Sequence, residues 1–298
     1  MDSGRGDQIG IVREIVAAYL PGRAGSVVLL GEGGDNVAFE VDGELIVRFS
    51  KEPNPMRRAA VVSREVRLLG VVAGVSSLAV PEPCFAAAEQ GCLGYFRLPG
   101  RPLIDLPLPR RAAHDGVIGA RLGALLSALH EVPVGRVERL VDVDDQPGAV
   151  WLDEAADTYD TIVANVPTAH RPAIEAFLGE PPPADGYPLV FSHNDLGIEH
   201  VLVDDATWTC TGVIDWSDAA ICDPARDFGL LYRDLGATAL RSALRSYGAD
   251  DAQAGAIRAR AAFYARCGVL EDMAYGIETG RTTYLDKSLA ALTWLYPA

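Results

Sequence analysis

The run FSHNDLGIEHVLVD (191–204), followed by TGVIDWSDAAICDPARDF (211–228), gathers His193, Asp195, His200, Asp215, Asp218, Asp223 and Asp227 into a short span. Between the apolar runs PLVF and HVLVD, a His-x-Asp loop exposes the carboxylate of Asp195. There it can accept the proton of an attacking hydroxyl during phosphoryl transfer. His200 opens the second run, and a hairpin returns the chain so that Asp215 ends its second strand near the same spot. Two potential metal ligands thus converge beside the base. Phosphoryl transfer needs such convergence because the migrating group is densely anionic, and Mg²⁺ bridging the phosphates must be held close by. His193 reads as structural, its imidazole donating to backbone carbonyls to shape the loop. Asp223-Pro224 reads as a helix N-cap with proline in the first turn, and Asp227 suits the positive end of that helix and can buttress the loop. A lone aspartate on a loop is ordinarily a turn or cap residue; the spacing points to chemistry.

The surrounding text supplies elements to position these groups. Residues 8–20 have apolar side chains at helical spacing, with Pro21 and Gly22 as a stop signal. From Ser26 to Ser50 the short runs VVLLG, VAFEV and ELIVRF, separated by GEGGDN and DG, read as an antiparallel meander. Residues 56–70 return to helical periodicity and end at Gly70, with strands expected around Val80 and Gly94. YFRLPGRPL, Tyr95 to Leu103, marks a boundary, so that residues 1–98 form a β-rich lobe with a hinge at about 95–100 and residues 99–298 a mostly helical one. In the second lobe, helices precede a proline-rich break at 181–188, hairpin strands follow at 200–204 and 209–215, and helical text runs from Pro224 onward. The fold class expected is a bilobal α+β arrangement, with a cleft between lobes as the ligand site.

Composition narrows the partners. A net charge of −15 disfavours nucleic acid and would draw cationic ligands toward an acidic cleft. No run approaches the roughly 18 apolar residues of a membrane-spanning helix, so no membrane partner is expected and the location expected is cytoplasmic. Five dispersed cysteines without a C-x-x-C pair read as small buried apolar residues. LGEGGDNVAFEV (30–41) is a strand, glycine-rich turn and strand whose backbone N–H groups could cover nucleotide phosphates; a plain hairpin has the same text.

HNDLGIEHVLVD together with GVIDWSDAAICDPARDF resembles the antibiotic kinases, the aminoglycoside and macrolide phosphotransferases, and most of all the aminoglycoside 2''-phosphotransferases. The likeness runs over most of the chain and implies the protein-kinase-like fold. It implies Asp195 as catalytic base in contact with the acceptor, His200 and Asp215 as magnesium ligands, and Asp218 as a partner of the acceptor's cationic groups. It implies nucleotide contacts at Gly31, Gly33, Gly34, Asp35 and Asn36 of the turn. Arg48 stands where kinases generally show a phosphate-binding lysine, with Glu65 of REVRLL as its ion-pair partner and Lys51 as rival. Tyr95, Phe96 and Leu98 fall at the family's purine-binding hinge. Asp234 lies where the 2''-phosphotransferases present carboxylates to amines, although Arg233 beside it departs from that acidic pattern. In GVLEDMAYGIETG, Glu271, Asp272, Tyr275 and Glu278 are candidates for an acidic pocket wall, against a solvated helix face.

The function expected is transfer of the γ-phosphoryl group of GTP or ATP, with Mg²⁺, to a hydroxyl of a cationic antibiotic, an aminoglycoside first, by a monomer or weak dimer. A macrolide kinase is the nearest alternative. A choline or homoserine kinase is another, with Trp216 as a cation–π contact. A nucleotide-binding module without catalysis and a metal-dependent phosphohydrolase are the readings from other classes.

Overall fold

The computed structural model describes residues 3–23, 25–184 and 186–297. The chain forms two compact units: residues 1–74 with 79–98, and residues 75–78 with 99–298.

In the first unit, helix α1 (Ser3–Tyr19) precedes strands β1 (Val27–Glu32), β2 (Asn36–Val41) and β3 (Leu45–Ser50). Helix α2 (Pro55–Ala73) and strands β4 (Pro83–Ala87) and β5 (Cys92–Phe96) follow. The strands make one antiparallel sheet in the order β1-β2-β3-β5-β4. The two-residue period of β3 decides which groups reach which helix. Leu45 and Val47 share a core with Val12, Ile15 and Val16 of α1. Ile46 packs instead with Val62 of α2, Leu93 and Tyr95. Arg48 continues the Ile46 register and meets Glu65 of α2.

Local signals place most ends. Asn54 accepts hydrogen bonds from the N–H groups of Met56 and Arg57 and starts α2, with Pro55 in its first turn. Gly70 does not end this helix, which runs to Ala73 and stops at Gly74; a glycine in αR backbone is compatible with a helix interior. Val80 precedes its strand rather than lying in it.

The second unit begins with β6 (Arg101–Pro102), α3 (Leu108–Ala112), α4 (Asp115–His130), β7 (Asp142–Asp144), α5 (Gly148–Ile162) and α6 (Arg171–Leu178). Strands β8 (Val190–Ser192), β9 (Val201–Asp204), β10 (Thr209–Val213) and β11 (Ala220–Cys222) come next. Helices α7 (Ala225–Tyr247), α8 (Asp251–Thr279) and α9 (Thr282–Leu295) complete it. Two small sheets, β10-β9-β6 and β7-β11-β8, carry the loop after β8 and the hairpin after β9. Helices α4 and α7 approach backbone to backbone: a Cβ on Gly119 or Gly123 would lie 2.4 or 2.1 Å from the carbonyl oxygen of Ala239 or Ala243. Close packing of this kind leaves little room for movement of α7. Helix α7 kinks at Gly236, whose φ of 78° suits glycine. Cys92, Cys210, Cys222 and Cys267 are buried as expected, whereas Cys84 is exposed. Among the described residues no helix is long and apolar enough to cross a membrane.

Candidate active site

The loop from His193 to His200 is built on internal hydrogen bonds. His193 is fully buried, and its Nε2 donates to the Ile214 carbonyl at 3.1 Å. Its Nδ1 accepts the Asp195 N–H at 3.3 Å. Burial and the neighbouring His200 push its pKa down to about 4, which suits this structural tautomer. Below the loop, buried Asp227 accepts the His193 N–H at 2.9 Å. Asp223 accepts the Ala225 N–H at 2.9 Å and pairs with Arg260 at 2.7 Å, so its carboxylate serves both the helix start and an ion pair. His193 and Asp227 thus take the structural roles that the sequence assigns to them, whereas the capping position of α7 falls on Pro224 and Asp223 lies one residue before it.

This scaffold leaves the Asp195 side chain 38% exposed, with Oδ2 3.3 Å from His200 Nδ1. His200 Nδ1 also lies 2.8 Å from the Asp195 carbonyl oxygen, which fixes the proton on Nδ1. The lone pair of Nε2 then faces Asp215, whose Oδ2 is 3.8 Å away, beyond hydrogen-bond length. Burial opposes charge on His200, but the carboxylates of Asp195, Glu199 and Asp215 raise its pKa above the ordinary histidine value. Asp215 lies past the end of β10 rather than ending it, in a left-handed conformation (φ 62°). Asn194 is left-handed too (φ 66°), so both sides of the site hold non-glycine residues in sparsely populated backbone.

No group of three or more His, Cys, Asp and Glu able to hold a metal occurs among the described residues. A magnesium ion in a phosphoryl-transfer site needs only one or two protein ligands, because water and substrate phosphates supply the rest. The His200 lone pair and the Asp215 carboxylate, facing each other across 3.8 Å, fit that requirement.

Asp195 opens on a cavity of about 380 Å³ within the second unit. Asp218, Glu271, Asp272 and Tyr275 lie on its wall with Asp195. Glu278, one turn beyond Tyr275, is exposed and does not line it. Asp234 departs further from the sequence expectation. Its side chain is 2% exposed and is held by Arg233 at 2.8 Å and Lys287 at 3.3 Å, with an oxygen accepting the Ile198 N–H. Burial opposes its ionisation, yet the two cations hold its pKa well below the usual carboxylate range. A carboxylate so enclosed is a structural counter-ion and not an exposed substrate contact. Trp216 is likewise fully buried, donating to the Val213 carbonyl and packing on His193, and offers no surface to a ligand cation.

Sequence reasoning missed Trp151, Glu199, Arg226 and Tyr264 on the wall, and took Arg233, which also lines it, only as a departure from the acidic pattern. Glu199 had a usable signal, since it adjoins His200. Trp151 had none, standing alone in α5. Arg226 stacks on Trp151, 3.9 Å from the ring centroid, and reaches Asp144 at 3.5 Å.

In the first unit, Arg48 and Glu65 pair at 2.8 Å, both nearly buried. Gly31 and Glu32 close β1, and Gly33, Gly34 and Asp35 form the turn before Asn36 opens β2, with the Gly33 N–H donating to the Asn36 carbonyl. Lys51 is anchored to this turn by the Gly33 carbonyl and Glu32, each at 2.7 Å. Tyr95 is buried, Phe96 exposed and Leu98 half-buried.

One pH effect arises from His130, beneath β8. It is half-buried, held by Tyr247 and Ser192, and desolvation pushes its pKa down to about 3. The unfolded chain therefore takes up a proton near pH 6.5 that the folded chain refuses. This contribution to stability is present above pH 6.5 and is lost on acidification toward pH 3, at up to about 1.4 kcal/mol per pH unit. Urea unfolding of wild type and His130→Gln at pH 7.5 and pH 5 should show the smaller loss in the variant; equal losses would remove His130 as the cause.

Comparison with known proteins bears on the fold and the family. No curated protein matches the chain. Among solved structures, a type IIIa aminoglycoside 2''-phosphotransferase in complex with GDP and kanamycin superposes with a TM-score of 0.69 at 21% identity, covering 95% of this chain and 97% of that one. Macrolide 2'-phosphotransferase MphH from Brachybacterium faecium, as apoenzyme, gives a TM-score of 0.62 at 24% identity, with 95% and 97% covered. The streptomycin–ATP ternary complex of APH(2'')-IIa gives 0.55 at 16% identity, with 95% of each chain covered. These likenesses establish the kinase-like fold, a β-sheet unit followed by a mostly helical one. The model of the phosphotransferase enzyme family (APH) matches residues 26–264, and the chain with its His-x-Asp loop belongs to that family.

Proposed function

We propose that the protein transfers the γ-phosphoryl group of ATP or GTP to a hydroxyl of an amine-bearing antibiotic, with Asp195 as the base. The observation that carries this reading is the half-exposed Asp195 carboxylate at the cavity, flanked by His200 at 3.3 Å. Asp195 orients the acceptor hydroxyl and takes its proton as the bond to phosphorus forms. His200 and Asp215 would hold Mg²⁺, which when bound neutralises charge on the donor phosphates. His193 and Asp227 keep the loop in place while this happens. Asp218 and Glu271 meet the acceptor's ammonium groups, which favours cationic acceptors. An aminoglycoside is the first expectation and a macrolide the second; structures of enzymes named for both classes share the fold.

On the nucleotide side, Arg48, oriented by Glu65, grips phosphate oxygens, and the turn from Gly31 to Asn36 covers them. The backbone of residues 95–98 contacts the purine. Arg48→Met should therefore raise KM for the nucleotide by about tenfold or more, the loss of a charge-assisted hydrogen bond. Nucleotide titration in steady state checks this, and an unchanged KM would transfer the role to Lys51.

The reading is tested by a coupled nucleotide-consumption screen with ATP and GTP against aminoglycosides, macrolides, choline and homoserine. Turnover with an antibiotic supports it. Turnover with only a metabolite overturns the antibiotic assignment, and nucleotide hydrolysis indifferent to every acceptor overturns the transferase assignment.

A further inference from the structure

A second cavity, of about 300 Å³, lies within the first unit, lined from α1, β2, β3 and the start of α2. Strand register decides which face of the sheet it uses. Val37 pairs with Phe49 and Phe39 with Val47, so Val37, Phe39 and Phe49 share the face that packs on α1. Arg48 lies between them in register and meets Glu65 of α2 on the other face. The cavity therefore sits across the sheet from the proposed phosphate grip. Val37 and Phe39 are nearly buried in it, Phe49 is half-buried, and Ile11 of α1 is exposed. The Phe39 and Phe49 rings meet edge to face, with planes 88° apart and centroids 6.0 Å apart.

The charged residues on its wall are Lys51 and Arg58, and no acidic residue lines it. Arg58 has no carboxylate partner among the described residues. Its Nη1 reaches the Glu52 carbonyl at 3.4 Å, and its Nε is buried with no hydrogen-bond partner. A buried donor left unsatisfied is costly, and an anionic acceptor makes the strongest hydrogen bond to a guanidinium. Gly91 makes room for this side chain: a Cβ there would lie 2.3 Å from Arg58 Cδ and 2.6 Å from its Nε. Lys51 gives two of its three N–H donors to the Gly33 carbonyl and to Glu32, which leaves the third for a ligand. Such a wall calls for one anionic group on an apolar body. Two perpendicular rings receive a flat aromatic body, stacked on one and edge-on to the other. The volume stands at the small end of the range for ligand sites.

We infer that this cavity binds an aromatic carboxylate, its carboxylate held by Arg58 and Lys51 and its ring by Phe39 and Phe49. The site shares no residue with the acceptor cavity, and its test needs no phosphoryl transfer.

Calorimetric titration tests it, with 2-naphthoate as the probe, 2-naphthalenemethanol as its neutral counterpart and decanoate as a carboxylate on a flexible chain. The proteins compared are wild type, Arg58→Met, Lys51→Met and Ile11→Gln, with the melting temperature of each recorded. Wild type should bind naphthoate at least about tenfold more tightly than the alcohol and more tightly than decanoate. Arg58→Met and Lys51→Met should each lose about tenfold for naphthoate while the alcohol changes by less than about threefold. Ile11→Gln, at an exposed position, should weaken both aromatic probes by about threefold or more. Equal affinity for naphthoate and the alcohol, or no binding of either, would overturn the inference. So would naphthoate binding that both cation variants leave unchanged, or that Ile11→Gln does not weaken. Tighter binding of decanoate would overturn the aromatic assignment. If Arg58→Met does not fold, Lys51→Met and Ile11→Gln decide between these outcomes.

Discussion

Asp195→Ala is expected to lower kcat by at least about a hundredfold, the ordinary scale of a lost general base. The geometry separates this effect from misfolding. The loop is held through the main chain of Asp195, whose carbonyl faces His200 Nδ1 and whose N–H donates to His193, and alanine keeps both groups. The carboxylate itself is 38% exposed, and its nearest charged partner is His200, so its removal leaves no buried donor stranded. The melting temperature should therefore stay within a few degrees of wild type while turnover collapses. Asp195→Asn preserves shape and removes basicity, and should fail nearly as badly. A variant that unfolds would instead mean that the carboxylate is structural.

The second large effect is expected at Asp227, where stability and activity fall together. Its carboxylate is completely buried, accepts the His193 N–H at 2.9 Å, and is favoured in its ionised form by the N–H groups of Asn194 and Leu196. Burial nevertheless pushes its pKa up to about 6. Alanine leaves a cavity and at least one buried N–H without its acceptor, each unsatisfied donor costing about 1–3 kcal/mol. A total loss of about 3 kcal/mol or more is expected in urea unfolding, a large share of the stability of an ordinary domain. Asp227→Asn, which keeps an acceptor oxygen, should recover part of it. Activity should drop in both variants because the loop loses its anchor; full stability in Asp227→Ala would show that the loop holds itself.

How far the sequence could be read depended on distance along the chain. The His193, Asp195 and His200 loop and the hairpin to Asp215 lie within one short span, where spacing and strand alternation fix who meets whom. The Arg48 and Glu65 pair was legible through the resemblance to kinases, and the two-residue period of β3 is what brings Arg48 to the helix that follows its strand. The floor of the cavity was not legible. Lys287 on α9 meets Glu199 of the His193–His200 loop and Asp272 of α8 only through the packing of three distant elements. No local pattern announces that a carboxylate will find an internal partner, and so Asp234 read as a ligand contact when it is a counter-ion. Trp216 misled for a related reason, since proximity in sequence to Asp215 says nothing about which way the ring turns. Helix α2 overran Gly70 because periodic burial of Leu68, Leu69 and Val72 outweighs the propensity cost of one glycine.

The central claim is that Asp195 drives phosphoryl transfer to a bound hydroxyl. Its most direct test is mass spectrometry of the acceptor after incubation with nucleotide and Mg²⁺, using wild type and Asp195→Asn in parallel. The account expects an acceptor heavier by one phosphoryl group with wild type and an unmodified acceptor with the variant. Equal phosphorylation by both proteins, or nucleotide consumed by wild type with the acceptor unmodified throughout, would contradict it.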